Sequence, residues 1–332
     1  MKVSDSKKKL ANPVVSVVVA AYNNNEYLEK CLNSLLKQTY RPIEVILIDD
    51  NSKTPITRTI LDFKSKADSS MVVKYVKNKS NLGYYWNTEK GLKKVTGKYV
   101  TLLQHDDWYT DKKMLAKSIL CLESYPNTFV AVSNSTEENS NKILSKFVCS
   151  MDFEQFNGKR ILSNNLFRDL NPAYSAIVAN FEVLKNLGYL NYFMNKKDAR
   201  RYGLNPDEGY FALGILLEAG NVAISSKTMS VRGMPVSQHH KSTSWRSGVK
   251  FTVIYSWYRF YLYFKNIRSI PGLIFVLRGV SSNPPIDFVT LKKAIDIFDK
   301  KFSIYVFLIL FVQYPRKWAY KIARKIRYRG DG

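Results

Sequence analysis

This chain has few cysteines and histidines, and it has no apolar segment long enough to span a bilayer. It contains three cysteines and three histidines in 332 residues, and Cys31, Cys121 and Cys149 have no metal-ligand spacing. The apolar run at 303–314 is far shorter than the roughly 20 residues that a transmembrane helix needs. With 45% hydrophobic residues and a mean hydropathy of -0.23, a polytopic membrane protein is excluded, and the odd number of cysteines without metal-ligand spacing favours a reducing cytosol.

Acidic residues are also scarce. The chain has 27 Asp and Glu against 51 Lys and Arg, a formal net charge of +24. Residues 246–332 hold 17 Lys and Arg and only 4 Asp, so +13 of that charge lies in the last quarter. Such a concentration indicates an anionic partner surface, either lipid headgroups or nucleic acid. The polar, lysine-rich residues 1–11 do not resemble a signal peptide, so we expect a cytosolic protein.

Apolar segments typical of buried strands alternate with segments of helical periodicity along the first half of the chain. The β-branched run at 14–20 is typical of a strand buried on both faces of a parallel sheet. Strands alternating with helices predict right-handed βαβ units. The predicted strands cover 14–20, 43–48, 71–76, 98–103 and 128–132; the predicted helices cover 23–37, 110–124 and 209–219, with another ending at Leu92. Residues 134–141 read as a surface loop.

Polar motifs follow the predicted strands, at the edge where ligands bind in open α/β sheets. Tyr22, Asp50 and Asn81 are three of these positions, and Asp106 and Asp107 are the fourth. Two adjacent carboxylates repel each other, and a divalent metal would relieve that repulsion. A metal held by carboxylates usually carries a phosphate on its other side. The sequence therefore predicts a site for a nucleotide diphosphate compound.

Six short motifs occur in a fixed order in this half of the chain. They are Val15-Ser-Val-Val-Val-Ala-Ala-Tyr-Asn23, Leu35-Leu-Lys-Gln-Thr39, Val45-Ile-Leu-Ile-Asp-Asp-Asn-Ser52, Asn81-Leu-Gly83, Gly97-Lys-Tyr-Val100 and the Asp106-Asp107 pair. In this order and spacing they resemble a family 2 glycosyltransferase with the GT-A nucleotide-sugar fold. The resemblance is strong as far as Trp108 and thinner as far as Ser244.

The resemblance implies a nucleotide site at the strand ends. Tyr22 would pack on the nucleobase, and Asp50 would accept its imide N–H, which favours uracil. Ala20, Asn81 and Gly83 would belong to the same nucleotide-binding set.

The resemblance also implies a divalent metal at the Asp106-Asp107 pair. Asp106 and Asp107 would contact the ribose and the Mn²⁺ or Mg²⁺ that bridges the diphosphate, with Asp107 as the metal ligand. Many members have an Asp where this chain has Gln104.

Two further segments match more distant family positions. Asp207-Glu208 resembles the acidic pair that carries the base; its order is reversed here, so either carboxylate could serve, with Asp207 favoured. His239 lies in a segment resembling one that approaches the diphosphate, which makes it the second metal-ligand candidate.

The predicted architecture is α/β, a GT-A fold with a Rossmann-like, mostly parallel sheet and flanking helices. It would occupy residues 1–245, with a nucleotide-sugar half at 13–110 and an acceptor half at 111–245. Residues 246–332 would form a C-terminal helical, basic appendage that associates with membrane, because residues 316–329 hold seven basic residues interleaved with aromatics.

The predicted function is inverting transfer of a sugar from a UDP-sugar to a hydroxyl of a glycan acceptor. The acceptor would be a lipid-linked saccharide in bacterial surface polysaccharide, lipopolysaccharide or capsule assembly. The protein would be metal-dependent and peripheral on the inner face of the cytoplasmic membrane. No nucleic-acid partner is expected, and a homo-oligomer is compatible with the sequence.

The sequence leaves two alternatives open. One is a GT-A protein that binds nucleotide-sugars without transferring them, because Gln104 and the reversed Asp207-Glu208 order depart from the common pattern. The other is a nucleic-acid-binding protein that uses the basic C-terminus, where interleaved aromatic and cationic residues would suit single strands.

Overall fold

The computed structural model describes residues 12–140, 143, 149, 152–163, 173–187 and 216–233. The chain divides into two compact units. The first comprises Met1–Gln155, Asp169–Asn186 and Asn221–Ser237, and the second comprises Phe156–Arg168, Leu187–Gly220 and Gln238–Gly332. The domain boundaries predicted at residues 110 and 245 stay predictions. The predicted basic appendage at 246–332 lies outside the described residues, and within them no helix is both long and apolar enough to cross a membrane.

The first half of the chain alternates strand and helix, as its apolar periodicity predicts. The elements are β1 Val15–Ala21, α1 Asn25–Leu36, β2 Ile43–Asp49, α2 Thr57–Lys66, β3 Met71–Lys77, α3 Tyr84–Leu92 and β4 Tyr99–Leu102. The four predicted strands of this half are therefore confirmed to within about a residue at each end.

The second half contains shorter elements. They are β5 Trp108–Tyr109, α4 Met114–Ser124, β6 Thr128–Glu137, β7 Glu154–Asn157, α5 Gly158–Ser163, a 3₁₀ turn Tyr174–Ala176, β8 Ile177–Asn180, α6 Phe181–Asn186 and β9 Asn221–Arg232. Residues 216–219 are helical, which is the described end of the helix predicted over 209–219. The helix predicted from residue 110 begins only at Met114, because the short strand β5 precedes it.

The surface loop predicted over residues 134–141 is wrong at its start. Strand β6 continues to Glu137 and pairs with β9, and Asn134 and Ser135 are buried. The Asn134 amide lies 3.4 Å from the carbonyl of Ser226 on β9. Buried polar side chains are tolerated where they find hydrogen-bond partners, so a polar sequence here does not mark the surface.

In the described residues the strands form one nine-stranded sheet in the order β3-β2-β1-β4-β8-β6-β9-β5, with β7 also pairing with β9. The block β3-β2-β1-β4 is parallel throughout. Strand β8 is antiparallel to both its neighbours, whereas β6 and β9 are parallel. The predicted α/β architecture with a mostly parallel sheet is confirmed.

Helices on both faces explain why β1 and β2 are buried along their whole length. Helices α1 and α2 bury Leu28, Leu32 and Ile60 in the core on one face. On the other face α3 approaches β1 so closely that a Cβ on Gly91 would lie 2.4 Å from Val18 Cγ1. The register pairs Ala21 with Asp49, so β1 and β2 end at the same edge of the sheet.

Candidate functional site

The loops that follow β1 and β2 are tied to each other by asparagine-rich turns. Asn23, Asn24 and Asn51 have φ values of 54°, 56° and 60°, in the left-handed region that asparagine tolerates better than most residues. The Asn23 backbone N–H donates to Ser52 Oγ at 2.8 Å, and Asn23 Oδ1 accepts from the Lys53 backbone N–H at 2.8 Å. Half-buried Tyr22 lies at the start of this tied pair of loops.

Asp50 is a buried carboxylate that organises the neighbouring loop. Its Oδ1 accepts from Asn78 Nδ2 at 2.9 Å and from the Leu82 backbone N–H at 2.7 Å. Its Oδ2 accepts from the Gly83 backbone N–H at 2.8 Å. A carboxylate oxygen can accept about two hydrogen bonds, so among the described contacts Oδ2 has one acceptor position without a donor.

The loop containing Asn81 and Gly83 is thus brought against Asp50. Gly83 has φ +84°, a conformation in which a side chain would be strained. Besides its hydrogen bond to Asp50, the Gly83 N–H donates to Asn81 Oδ1 at 3.1 Å. Both residues are exposed, which leaves them available to a bound molecule. These three predicted positions therefore lie together, although their ligand contacts remain predictions.

Asp106 and Asp107 follow β4 in a turn closed by a hydrogen bond from the Asp107 backbone N–H to the Gln104 carbonyl at 2.9 Å. Asp106 is half-buried, whereas Asp107 is only 2% exposed. Asp107 Oδ2 accepts from Ser175 Oγ at 2.9 Å, and Oδ1 accepts from the Gly233 backbone N–H at 3.3 Å. Protein donors therefore orient one carboxylate of the pair, while the other reaches solvent.

The turn is also anchored to β1. His105 Nδ1 lies 3.2 Å from the carbonyl oxygen of Ala20, and because a carbonyl can only accept, Nδ1 carries the proton. Both residues are buried. The backbone carbonyl of Ala20 therefore anchors the turn. Its predicted place in the nucleotide-binding set stays a prediction.

The electrostatics of the pair favour a cation. The pKa of the Asp107 carboxyl is raised to about 7, first by burial and then by the adjacent negative charge of Asp106, and this value already includes the lowering effect of the Ser175 and Gly233 hydrogen bonds. In the described part of the chain, no group of three or more His, Cys, Asp and Glu could hold a metal by itself. Two carboxylates do fit an Mg²⁺ or Mn²⁺ that takes its remaining ligands from a diphosphate and water. Asp207, Glu208 and His239 lie outside the described residues.

This raised pKa predicts a pH-dependent stability. The folded state holds the Asp107 proton more tightly than the unfolded state, so metal-free protein loses stability as pH rises from about 4 to about 7. Replacing Asp107 by Asn removes that loss, and we expect the free energy of unfolding at pH 8 to rise by about 1–3 kcal/mol. Urea denaturation of both proteins in EDTA, at pH 5 and at pH 8, measures this difference in the free energy of unfolding.

The control for that experiment is Asp62→Asn, because Asp62 forms an exposed pair with Lys66. A gain for Asp107→Asn that is the same at both pH values would contradict the titration of this carboxyl. A gain for the Asp62 variant as large as that for Asp107→Asn would attribute the effect to net charge.

Three residues of this site were not predicted from the sequence. Asn78 directly follows β3 and could have been found by the same signal as the others, a polar residue after a strand. Ser175 and Gly233 carry no such signal, because they are 68 and 126 positions from Asp107 in the chain. Only the fold brings them to it.

Comparisons with known proteins support one family. The model of glycosyl transferase family 2 matches residues 16–185. An uncharacterized glycosyltransferase of Haemophilus influenzae is 39% identical over 95 residues, which are 29% of this chain and 28% of that protein. Glycosyltransferase GlyA of Streptococcus pneumoniae is 33% identical over 99 residues, 30% of this chain and 14% of that protein. The chain thus spans less than a third of the length of either relative.

Solved structures share the fold at low sequence identity. Staphylococcus aureus TarS 1-349 in complex with UDP-GlcNAc has a TM-score of 0.60 at 17% identity, covering 80% of this chain and 71% of that one. Mannosyltransferase PcManGT from Pyrobaculum calidifontis, in complex with GDP-Man and Mn²⁺, has a TM-score of 0.54 at 14% identity, covering 96% and 87%. The fold is that of the GT-A glycosyltransferases, as predicted.

Proposed function

Because this chain belongs to glycosyl transferase family 2, we propose that it is an inverting glycosyltransferase acting on a UDP-sugar and a glycan hydroxyl. The observation that carries the proposal is the common edge at which β1, β2 and β4 end. Parallel pairing aligns those strands, so Tyr22, Asp50 and the Asp106-Asp107 turn all emerge there. A nucleobase acceptor and a cation-binding carboxylate pair at one edge suit a nucleotide diphosphate.

Uridine is the favoured nucleoside. Asp50 Oδ2 has an acceptor position left, and uracil offers an imide N–H to fill it, whereas cytosine presents a lone pair at the same ring position. The UDP-GlcNAc bound by TarS supports this choice. The GDP-Man bound by PcManGT is the competing donor class, and a binding comparison must include it.

The reaction requires a base and a stabilised leaving group. The acceptor hydroxyl loses its proton to Asp207 or Glu208 as its oxygen attacks C1 of the sugar, opposite the departing diphosphate. Asp107, beside the ribose-contacting Asp106, would hold a Mn²⁺ or Mg²⁺, which when bound would neutralise negative charge on the diphosphate. Asp50 and Tyr22 hold the nucleoside, so the anomeric carbon is presented at a constant position.

The direct test is UDP release by the purified chain with Mn²⁺, each candidate UDP-sugar and GDP-Man, comparing the parent with Asp207→Asn and Glu208→Gln. Loss of the base is expected to lower kcat by about 10²- to 10⁴-fold in one variant and far less in the other. UDP binding without turnover on any acceptor would instead identify a nucleotide-sugar-binding protein. Preference for GDP-Man would reject the uridine assignment.

We also propose that the acceptor is a lipid-linked saccharide at the cytoplasmic membrane face, in surface polysaccharide assembly. The support is the charge of residues 246–332, together with the interleaved cations and aromatics of residues 316–329, which suit an interfacial helix. Deleting residues 303–332 should reduce sedimentation with anionic liposomes at moderate salt, with neutral liposomes as the control. Unchanged sedimentation would reject membrane docking, and salt-sensitive RNA retention by the same segment would favour nucleic acid.

A further inference from the structure

Lys90 on α3 extends into the buried polar network beside Asp50. It is half-buried, and its Nζ donates to Asn78 Oδ1 at 2.7 Å. Lys93 and Lys94, on the same stretch of chain, are exposed, and Lys93 pairs with Glu89 one turn earlier. Lys90 is therefore distinguished from its neighbours by the buried amide that it contacts.

An ammonium group can only donate hydrogen bonds, so Lys90 holds the oxygen end of that amide, and the acceptor-only Asp50 carboxylate on the other side requires the same orientation. Asn78 must turn its oxygen toward Lys90, and its Nδ2 then donates to Asp50 Oδ1 at 2.9 Å and to Asn87 Oδ1 at 2.9 Å. Asn87 in turn donates through Nδ2 to the Ile48 carbonyl at 2.9 Å. Lys90 thus supplies the first donor of a chain of hydrogen bonds that passes through two asparagine amides and ends at a strand of the sheet.

The direction of this chain matters at Asp50. With the Asn78 amide facing it and the Leu82 N–H also bound, Oδ1 has both acceptor positions filled. The open position is then on Oδ2, whose described donor is the Gly83 N–H. If Asn78 were reversed, its carbonyl oxygen would face the Asp50 carboxylate, and the repulsion would displace that carboxylate or open Oδ1.

We propose that Lys90 is a specificity-determining positioning residue that, through Asn78, aims the open acceptor of Asp50 at the nucleobase. A single acceptor in a constant place selects a base that offers a ring N–H, as uracil does, and rejects cytosine, whose ring nitrogen has a lone pair at that point. The inference rests on the proposed function, because it takes the ligand to be a UDP-sugar. It adds two residues, Lys90 and Asn78, to the group that decides which nucleotide binds.

The experiment measures the dissociation constants of UDP, CDP and GDP by calorimetry, with Mn²⁺, for the full chain and three variants. Lys90→Met keeps the apolar stem and removes the cation, and we expect the preference for UDP over CDP to fall about 5- to 20-fold. Lys90→Arg keeps a cationic donor and should retain most of the preference. Lys93→Met is the matched control, because it removes an exposed cation at the C-terminal end of the same helix and should leave the preference unchanged.

The outcomes separate this inference from the proposed function. A parent chain that binds no UDP, or binds GDP or CDP more tightly, overturns the proposed function. A parent chain that prefers UDP, with the same preference retained by Lys90→Met, overturns the role of Lys90 alone. If Lys90→Met does not fold, as judged by circular dichroism, Asn78→Ala removes the amide without adding charge. The same fall in preference is then expected, and an unchanged preference would overturn the inference.

Discussion

Replacing Asp107 by Asn is expected to lower the rate of UDP release from the donor by about 10²- to 10³-fold. The predicted role of this carboxylate is to hold the divalent cation on the diphosphate, and a neutral amide is a much poorer ligand for a hard cation. The folded structure should survive, because Asn has the same shape as Asp. Its amide oxygen can still accept a hydrogen bond from either Ser175 Oγ or the Gly233 N–H. The same variant that gains stability at pH 8 would thus lose activity.

The effect of Mn²⁺ on UDP affinity tests the metal role of Asp107 separately from the reaction rate. UDP affinity of the parent is expected to rise on adding Mn²⁺, whereas that of Asp107→Asn should not change. Asp106→Asn, at the half-buried position, should weaken UDP binding through the ribose while keeping some response to Mn²⁺. Full activity of Asp107→Asn would remove this residue from the proposed metal site, and the exposed Asp62→Asn again serves as the control.

Replacing Gly233 by Ala is expected to cost both stability and activity. A Cβ there would lie 1.9 Å from the Asp106 carbonyl oxygen and 2.9 Å from Tyr27 Cε1. The first contact is with backbone, so either the turn that carries Asp106 and Asp107 or the end of β9 must move. Overpacking of this kind costs about 1–3 kcal/mol of unfolding free energy. A displacement of about 1 Å in catalytic groups lowers the rate by about 10²-fold.

Gly97→Ala is the matched control, because it places a clash of the same kind at the opposite edge of the sheet. Its Cβ would lie 2.6 Å from the Val14 carbonyl oxygen and 2.7 Å from Ser16 Oγ, near the residues where β1 and β4 begin. We expect a similar fall in the urea midpoint with little change in activity per folded molecule. If both glycine variants lose activity in proportion to stability, the close approach at Gly233 has no particular role in the site.

Much of the fold could be predicted because its first half follows local rules. Strands β1 and β2 are β-branched and buried on both faces, and each is followed by a helix or turn with recognisable residues. Asn23, Asn51 and Gly83 adopt positive φ values that few other residues accept. The second half was harder to predict. Strand β6 runs through a polar segment that the sequence presents as a loop, because its partner β9 lies more than 80 residues later.

The candidate site divides in the same way. The sequence predicted Tyr22, Asp50, Asn81, Gly83, Asp106 and Asp107 as one group, since the carboxyl ends of parallel strands share an edge. It did not predict that Asp107 would be buried against Ser175 and Gly233, or that Lys90 would orient Asn78. Those contacts join residues on different elements, and no local pattern encodes them. Asp207, Glu208 and His239 remain predictions from the resemblance.

By itself, then, the sequence determined the family, the parallel α/β core and the edge of the sheet that carries the polar residues. The physical reason is that hydrophobic periodicity, turn chemistry and the order of motifs are all properties of neighbouring residues. Only the tertiary structure decided that the two carboxylates differ, with Asp107 enclosed by protein donors and Asp106 facing solvent. It also decided which oxygen of Asp50 is open, because burial and hydrogen-bond direction depend on groups that the chain brings together from a distance.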